Sequence, residues 1–167
     1  MMLPVALPVM HKLKALSCVS GFTLLALTAC GESRSVQCEK IGNVLNASSS
    51  QMMSASSTSQ GFSQGATIAN QAADDLAALE LGDKKLSNLR SHLVASYRKS
   101  AEASTAMNSI AGPDGSVIID ASTQASSQAI MTQFETAMKD VGSVTNATQT
   151  YCNGGTVASN LTDAPAQ

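Results

Sequence analysis

The chain has no tryptophan, and only five of its 167 residues are phenylalanine or tyrosine. Platforms that stack nucleic-acid bases or sugar rings need several exposed aromatic faces, so such sites are not expected. Charge is scarce as well, at 13% of residues, and much of it gathers between Asp74 and Glu102. A phosphate backbone is gripped by clustered Lys and Arg; with a formal net charge of −2 and no such cluster, nucleic acid is excluded as a partner. A run of about 20 apolar residues, enough to cross roughly 30 Å of hydrocarbon, is missing too. The uncharged segment at residues 15–27 is only thirteen long. Proline is rare, and two of the four, Pro4 and Pro8, precede residue 30. Gly-x-Ser-x-Gly elbows, phosphate loops and haem-attachment motifs are likewise missing.

What is present begins with a short export pattern. Lys12 and Lys14 precede the apolar run, and the small residues Thr28 and Ala29 close it. A basic start, a short apolar stretch and a small-residue exit make a secretion signal that is removed. The stretch Leu27-Thr28-Ala29-Cys30 resembles a bacterial lipobox, with the likeness confined to about residues 10–33. That resemblance implies a diacylglyceryl group on the Cys30 sulfur and cleavage just before it. Residues 1–29 would then be the signal peptide and residues 30–34 a lipidated tether. The protein would be anchored to the bacterial membrane on its extracytoplasmic side, at the periplasmic face or the cell surface. The alternative is an ordinary secretory signal, with Cys30 paired to another cysteine in a soluble exported protein. Residues 1–9 add a second apolar stretch ahead of the lysines, which points to translation from Met10.

Removing residues 1–29 from the 167 leaves 138, enough for one domain,. Lys12 and Lys14 leave with the signal, so eight basic residues face twelve acidic ones and the formal charge becomes −4. Apolar positions then recur at helical steps. Cys38, Ile41, Val44, Leu45, Ser48 and Met52 share one side of a first helix over residues 35–59, which Gly61 and Gly65 interrupt. Residues 48–60 are low in complexity and weak in helix propensity, so fraying is expected there. Ile68, Ala72, Leu76 and Leu79 mark a second helix, ended near Gly82, with Asp83 placed to cap the next. Leu86, Leu89, Leu93 and Tyr97 stripe a third, on which Arg98 and Glu102 are spaced to pair. Gly112-Pro113-Asp114-Gly115 breaks it, because proline lacks a donor and glycine admits turn geometries. Ile130, Phe134, Met138, Val141, Thr145, Thr148 and Cys152 follow along a last helix. Val117-Ile118-Ile119 has the alternative of a short strand. The tail at residues 153–167 reads as disordered.

With Cys18 discarded and Cys30 lipidated, Cys38 and Cys152 are the remaining thiols, and an exported protein meets an oxidising compartment. A disulfide between them requires Cα atoms within roughly 7 Å. One cysteine opens the first helix and the other closes the last. Three helices of about 25 residues would leave them on the order of 35 Å apart at about 1.5 Å per residue. An even number brings them together. The expected fold is therefore all-α: an antiparallel up-and-down bundle of four helices over residues 35–152, closed by Cys38–Cys152 between first and last. Free or differently paired thiols are the alternative. Cys38-x-x-Ile41-x-x-Val44, Leu76-x-x-Leu79-x-Leu81-x-Asp83-x-Lys85-Leu86 and Tyr151-Cys152 are similar to motifs of small helical lipoproteins of cyanobacteria. These are core and turn positions, and the likeness transfers no catalytic residue.

Candidates for chemistry are few. His92 falls opposite the leucine stripe, where a solvated surface histidine is expected and no ligand set surrounds it. Asp74 and Asp75 are adjacent, so on a helix they diverge by about 100° and do not form a catalytic pair. Met52 and Met53 are two thioethers without a wider cluster, which is core filling more than copper chemistry. No metal, cofactor or enzymatic activity is expected. The expected role is non-catalytic, in binding or structure at the cell envelope, with the membrane engaged through acylated Cys30 and an envelope protein as a further partner. The alternative is a carrier that holds a small ligand or cofactor inside the bundle.

Overall fold

The computed structural model describes residues 32–56, 58, 60–117, 119 and 121–166. Residues 1–31, which include Cys30 and the segment expected to be a signal, lie outside the described residues. Four long helices follow one another: α1 (Arg34–Ala55), α2 (Gly61–Ala77), α3 (Lys84–Ile110) and α4 (Gln124–Cys152), then a short α5 (Ser159–Thr162). They form the antiparallel up-and-down bundle that the cysteine parity predicts, and no strand occurs among the described residues. Cys38 and Cys152 are bonded, with Cα atoms 5.8 Å apart, so the first and last helices are joined.

The Ser33 hydroxyl starts α1 by accepting from the Val36 amide at 3.4 Å, which satisfies one of the amides that a helix start leaves unpaired. Gln37, Ile41, Leu45, Ser48 and Ala55 then bury one face. The helix ends at Ala55, short of the expected residue 59, and α2 begins at Gly61. Gly65 does not interrupt a helix as expected but lies within α2. Glycine inside a helix is less favourable than alanine by about 1 kcal/mol, and here tertiary packing outweighs it. Gly65, Ala66, Ala69, Ala72, Ala73 and Leu76 make a buried face of mostly small residues, which lets α2 lie close along α3.

Asp83 caps α3 as expected, its Oδ1 accepting from the Lys85 and Leu86 amides at 2.9 and 3.1 Å. Leu86, Leu89 and Leu93 are wholly buried and Tyr97 nearly so. Each leucine contributes about 1.5–3 kcal/mol of burial relative to exposure. The Tyr97 hydroxyl shares a hydrogen bond of 3.0 Å with Ser48 of α1, so the one phenol in this core is satisfied. Arg98 departs from expectation. It donates to Asp74 of α2 at 3.1 Å instead of pairing with Glu102, because the α2–α3 contact brings that carboxylate within reach.

After α3 the Gly112-Pro113-Asp114-Gly115 segment turns the chain as expected, with the Gly115 amide donating to the Gly112 carbonyl at 2.9 Å. Asp114 Oδ1 accepts from the Ser116 hydroxyl at 2.6 Å and its amide at 3.0 Å. Those two bonds hold the carboxyl below its ordinary value of 3.8. Val117 forms a single antiparallel bridge with Ala111 and no strand. Along α4 only Ser127, Ala137, Val144 and Thr148 are buried, and Met138, expected on the inward stripe, is 42% exposed. α4 lies along α3 but meets α1 over a short stretch only, so part of that stripe has nothing above it.

The tail corrects another expectation. Gly154, at φ +82°, ends α4 in the left-handed conformation that glycine tolerates, and its amide bonds the Tyr151 carbonyl while the Gly155 amide bonds that of Thr150. The chain then folds back instead of remaining disordered. α5 packs on α3, and Asn88 Nδ2 donates to the Thr162 carbonyl at 2.7 Å. Thr162 is buried, and Val157 and Leu161 pack against the core.

Candidate functional site

Each end of the bundle gathers its own set of residues. At the disulfide end, Tyr151 precedes Cys152, and its hydroxyl donates to Asp83 Oδ2 at 3.0 Å. The Asp83 amide donates to Gln37 Oε1 at 2.9 Å, while Gln37 Nε2 donates to the Glu32 carbonyl at 2.6 Å. The Arg34 guanidinium lies 5.2 Å from the centre of the Tyr151 ring, a cation–π contact of about 0.5–1 kcal/mol at an exposed site. Lys40 closes on Glu32 at 2.7 Å. The first described residues, the α2–α3 turn and the end of α4 are thus tied together beside the disulfide. Sequence reasoning identified Asp83 as a cap and Cys38 and Cys152 as a pair. It missed Gln37 and Tyr151, because a glutamine and a tyrosine in helical sequence give no signal of a partner many residues away.

The other singled-out residues do not assemble. His92 is not simply solvated: its Nε2 lies 3.1 Å from the Ala164 carbonyl, against the returning tail. Asp74 binds Arg98, and Asp75 accepts from Gln71 at 2.8 Å, so the adjacent carboxylates serve different partners. Met53 is 74% exposed, whereas Met52 faces inward. Among the described residues no three His, Cys, Asp or Glu side chains come together to hold a metal ion. No described helix is long and apolar enough to cross a membrane.

At the opposite end a cavity of about 360 Å³ opens between the helices. Larger depressions, such as one of about 560 Å³ between α1 and α2, are open surface grooves lined mainly by Ser, Thr and Gln. The cavity at this end is partly open and takes Met52 from α1, Phe62 and Gly65 from α2, Ser104 from α3 and Phe134 and Met138 from α4. Phe62 and Phe134 meet edge to face, their centroids 5.8 Å apart, an arrangement worth about 0.5–1.5 kcal/mol beyond burial. A methyl group on Gly65 would sit 3.7 Å from Ser104 Oγ and 4.0 Å from Met52 Sδ. Those are ordinary contact distances, so packing does not demand glycine there; its effect is to leave volume empty. This site was not legible in the sequence, although Met52, Phe134 and Met138 lay on the predicted stripes.

Comparison of the chain with protein-family models, with curated proteins and with solved structures found no significant match.

Proposed function

We propose that this is a lipid-anchored bacterial lipoprotein, held on the extracytoplasmic side of the envelope, whose helical bundle acts by binding or by structural support and not by catalysis. The observation that carries this reading is the Cys38–Cys152 bond. With Cys18 lost in the signal, that bond takes both other thiols and leaves Cys30 no sulfur partner within the mature chain. A cysteine directly after Leu27-Thr28-Ala29 is then free to carry lipid. A disulfide also suits the oxidising side of a membrane. Each buried acyl CH₂ contributes about 0.8 kcal/mol, and more than one chain makes the attachment durable. Three residues lie between Cys30 and Arg34, and the four steps along the chain reach at most about 14 Å,, so the disulfide end would face the bilayer. Metabolic labelling with a radioactive fatty acid tests this: label in the wild type and none in Cys30→Ala is expected. A mature N-terminal peptide whose mass is that of its amino acids alone overturns it.

The cavity of about 360 Å³ favours a second reading, a small-ligand carrier. Native mass spectrometry and the absorbance spectrum of the protein purified from its source test it. A bound small molecule supports this reading, and a clean apo-protein counts against it.

A further inference from the structure

The far-end cavity has a chemical character that narrows what it takes. Among the described residues its walls carry no charged side chain, so an ionised ligand entering it would lose water without gaining a counter-charge there. Two phenylalanine rings and two methionine side chains supply most of the apolar lining. Thioethers adapt their shape and make favourable contacts with aromatic ring edges. At a water's share of about 30 Å³, the volume of about 360 Å³ holds on the order of a dozen non-hydrogen atoms,.

One polar group stands out in this lining. Ser104 is 4% exposed, yet its hydroxyl makes no hydrogen bond among the described residues. Helical serines and threonines commonly bond the carbonyl one turn back. Thr105 does so to Ala101 and Ser91 to Ser87, both within the same helix. The Ser104 oxygen instead lies beside the open space at Gly65 and borders the cavity. The oxygen faces the cavity and is not sealed from water, so a ligand that enters displaces water from it and must offer a hydrogen bond in return.

We propose that this cavity is a binding site for a small uncharged aromatic molecule bearing one hydroxyl or amine, with its polar group bonded to Ser104 and its ring held by Met52, Phe62, Phe134 and Met138. The site rests on the carrier reading and gives it a location and a ligand class. The test is calorimetric titration of the mature protein with 1-naphthol, naphthalene and 1-naphthoate, in the wild type and in Ser104→Ala and Gly65→Ala. In the wild type, 1-naphthol binds saturably at one site and 1-naphthoate at least about tenfold more weakly. Ser104→Ala weakens 1-naphthol about two- to tenfold and leaves naphthalene unchanged. Gly65→Ala weakens both neutral probes while raising Tm, since alanine favours the helix; that opposition of sign separates lost volume from lost folding. Absence of saturable 1-naphthol binding, or binding that neither substitution alters, overturns the proposal. Native mass of the protein from its source decides the carrier reading separately, because it reports a bound small molecule wherever it sits.

Discussion

At the disulfide end Leu76, Leu86, Leu89 and Leu93 are wholly buried beside Ile41 and Val144, whereas towards the other end α1, α2 and α3 bury Ala55, Ala66, Ala103 and Met107. Polar groups divide in the same way. Gln37, Asp83 and Tyr151 satisfy one another near the disulfide, while Ser127, fully buried in the first half of α4, has no hydrogen-bond partner among the described residues. One end is filled with branched side chains and cross-linked. The other is built of small residues, flexible methionines and an unfilled volume of about 360 Å³. Local stability follows packing, so the two ends should open at different free energies even though they share every helix.

The contrast is tested most severely by removing the cross-link. Closing a loop of 114 residues stabilises the fold by about 4.7 kcal/mol in the chain-entropy model,. Cys38→Ser with Cys152→Ser should lower stability by about that amount in urea unfolding, and hydrogen exchange should show protection lost first around Cys38 and Tyr151. Unchanged exchange there would mean that the leucine packing alone holds that end.

Next in size is a matched pair of truncations. Leu89→Ala should cost about 2–5 kcal/mol, whereas Phe134→Ala, half-buried at the edge of an existing cavity, should cost less than half as much. Equal losses in equilibrium unfolding would erase the distinction between the ends. A smaller effect of opposite sign is expected at Ser127. Replacing its unpartnered hydroxyl by Ser127→Ala should raise stability by about 1 kcal/mol, and a loss would mean that the oxygen is bonded in solution.

The smallest effect lies in the turn after α3. The Asp114 carboxyl titrates below its ordinary value of 3.8 because Ser116 donates to its charged form. Its contribution to stability is therefore complete above that value and is lost as pH falls through the lowered one. Asp114→Ala should lower Tm slightly at neutral pH, and the difference should vanish in strong acid. A difference that persists there would assign the turn's order to Pro113 and Gly115 instead.

Some of this architecture was readable along the chain. The Leu86, Leu89, Leu93 and Tyr97 stripe, the Asp83 cap and the Gly112–Gly115 break depend on neighbours within one or two turns, and the local pattern contains them. The partner of Arg98 could not be read in this way, since Glu102 and Asp74 are both near it and only helix packing favours Asp74. The returning tail was hidden as well, because Val157, Leu161 and Thr162 look like isolated residues until α3 supplies a surface for them.

The sequence by itself determined helical periodicity, the breaks between helices and, through the count and placement of its thiols, an even number of helices. These follow from the 3.6-residue repeat, from backbone chemistry and from the short reach of a disulfide. Only the tertiary structure decided where α1 and α4 part, which hydroxyls lack partners and where Gly65 leaves room. Those features depend on the distances between helices, which a one-dimensional pattern does not contain.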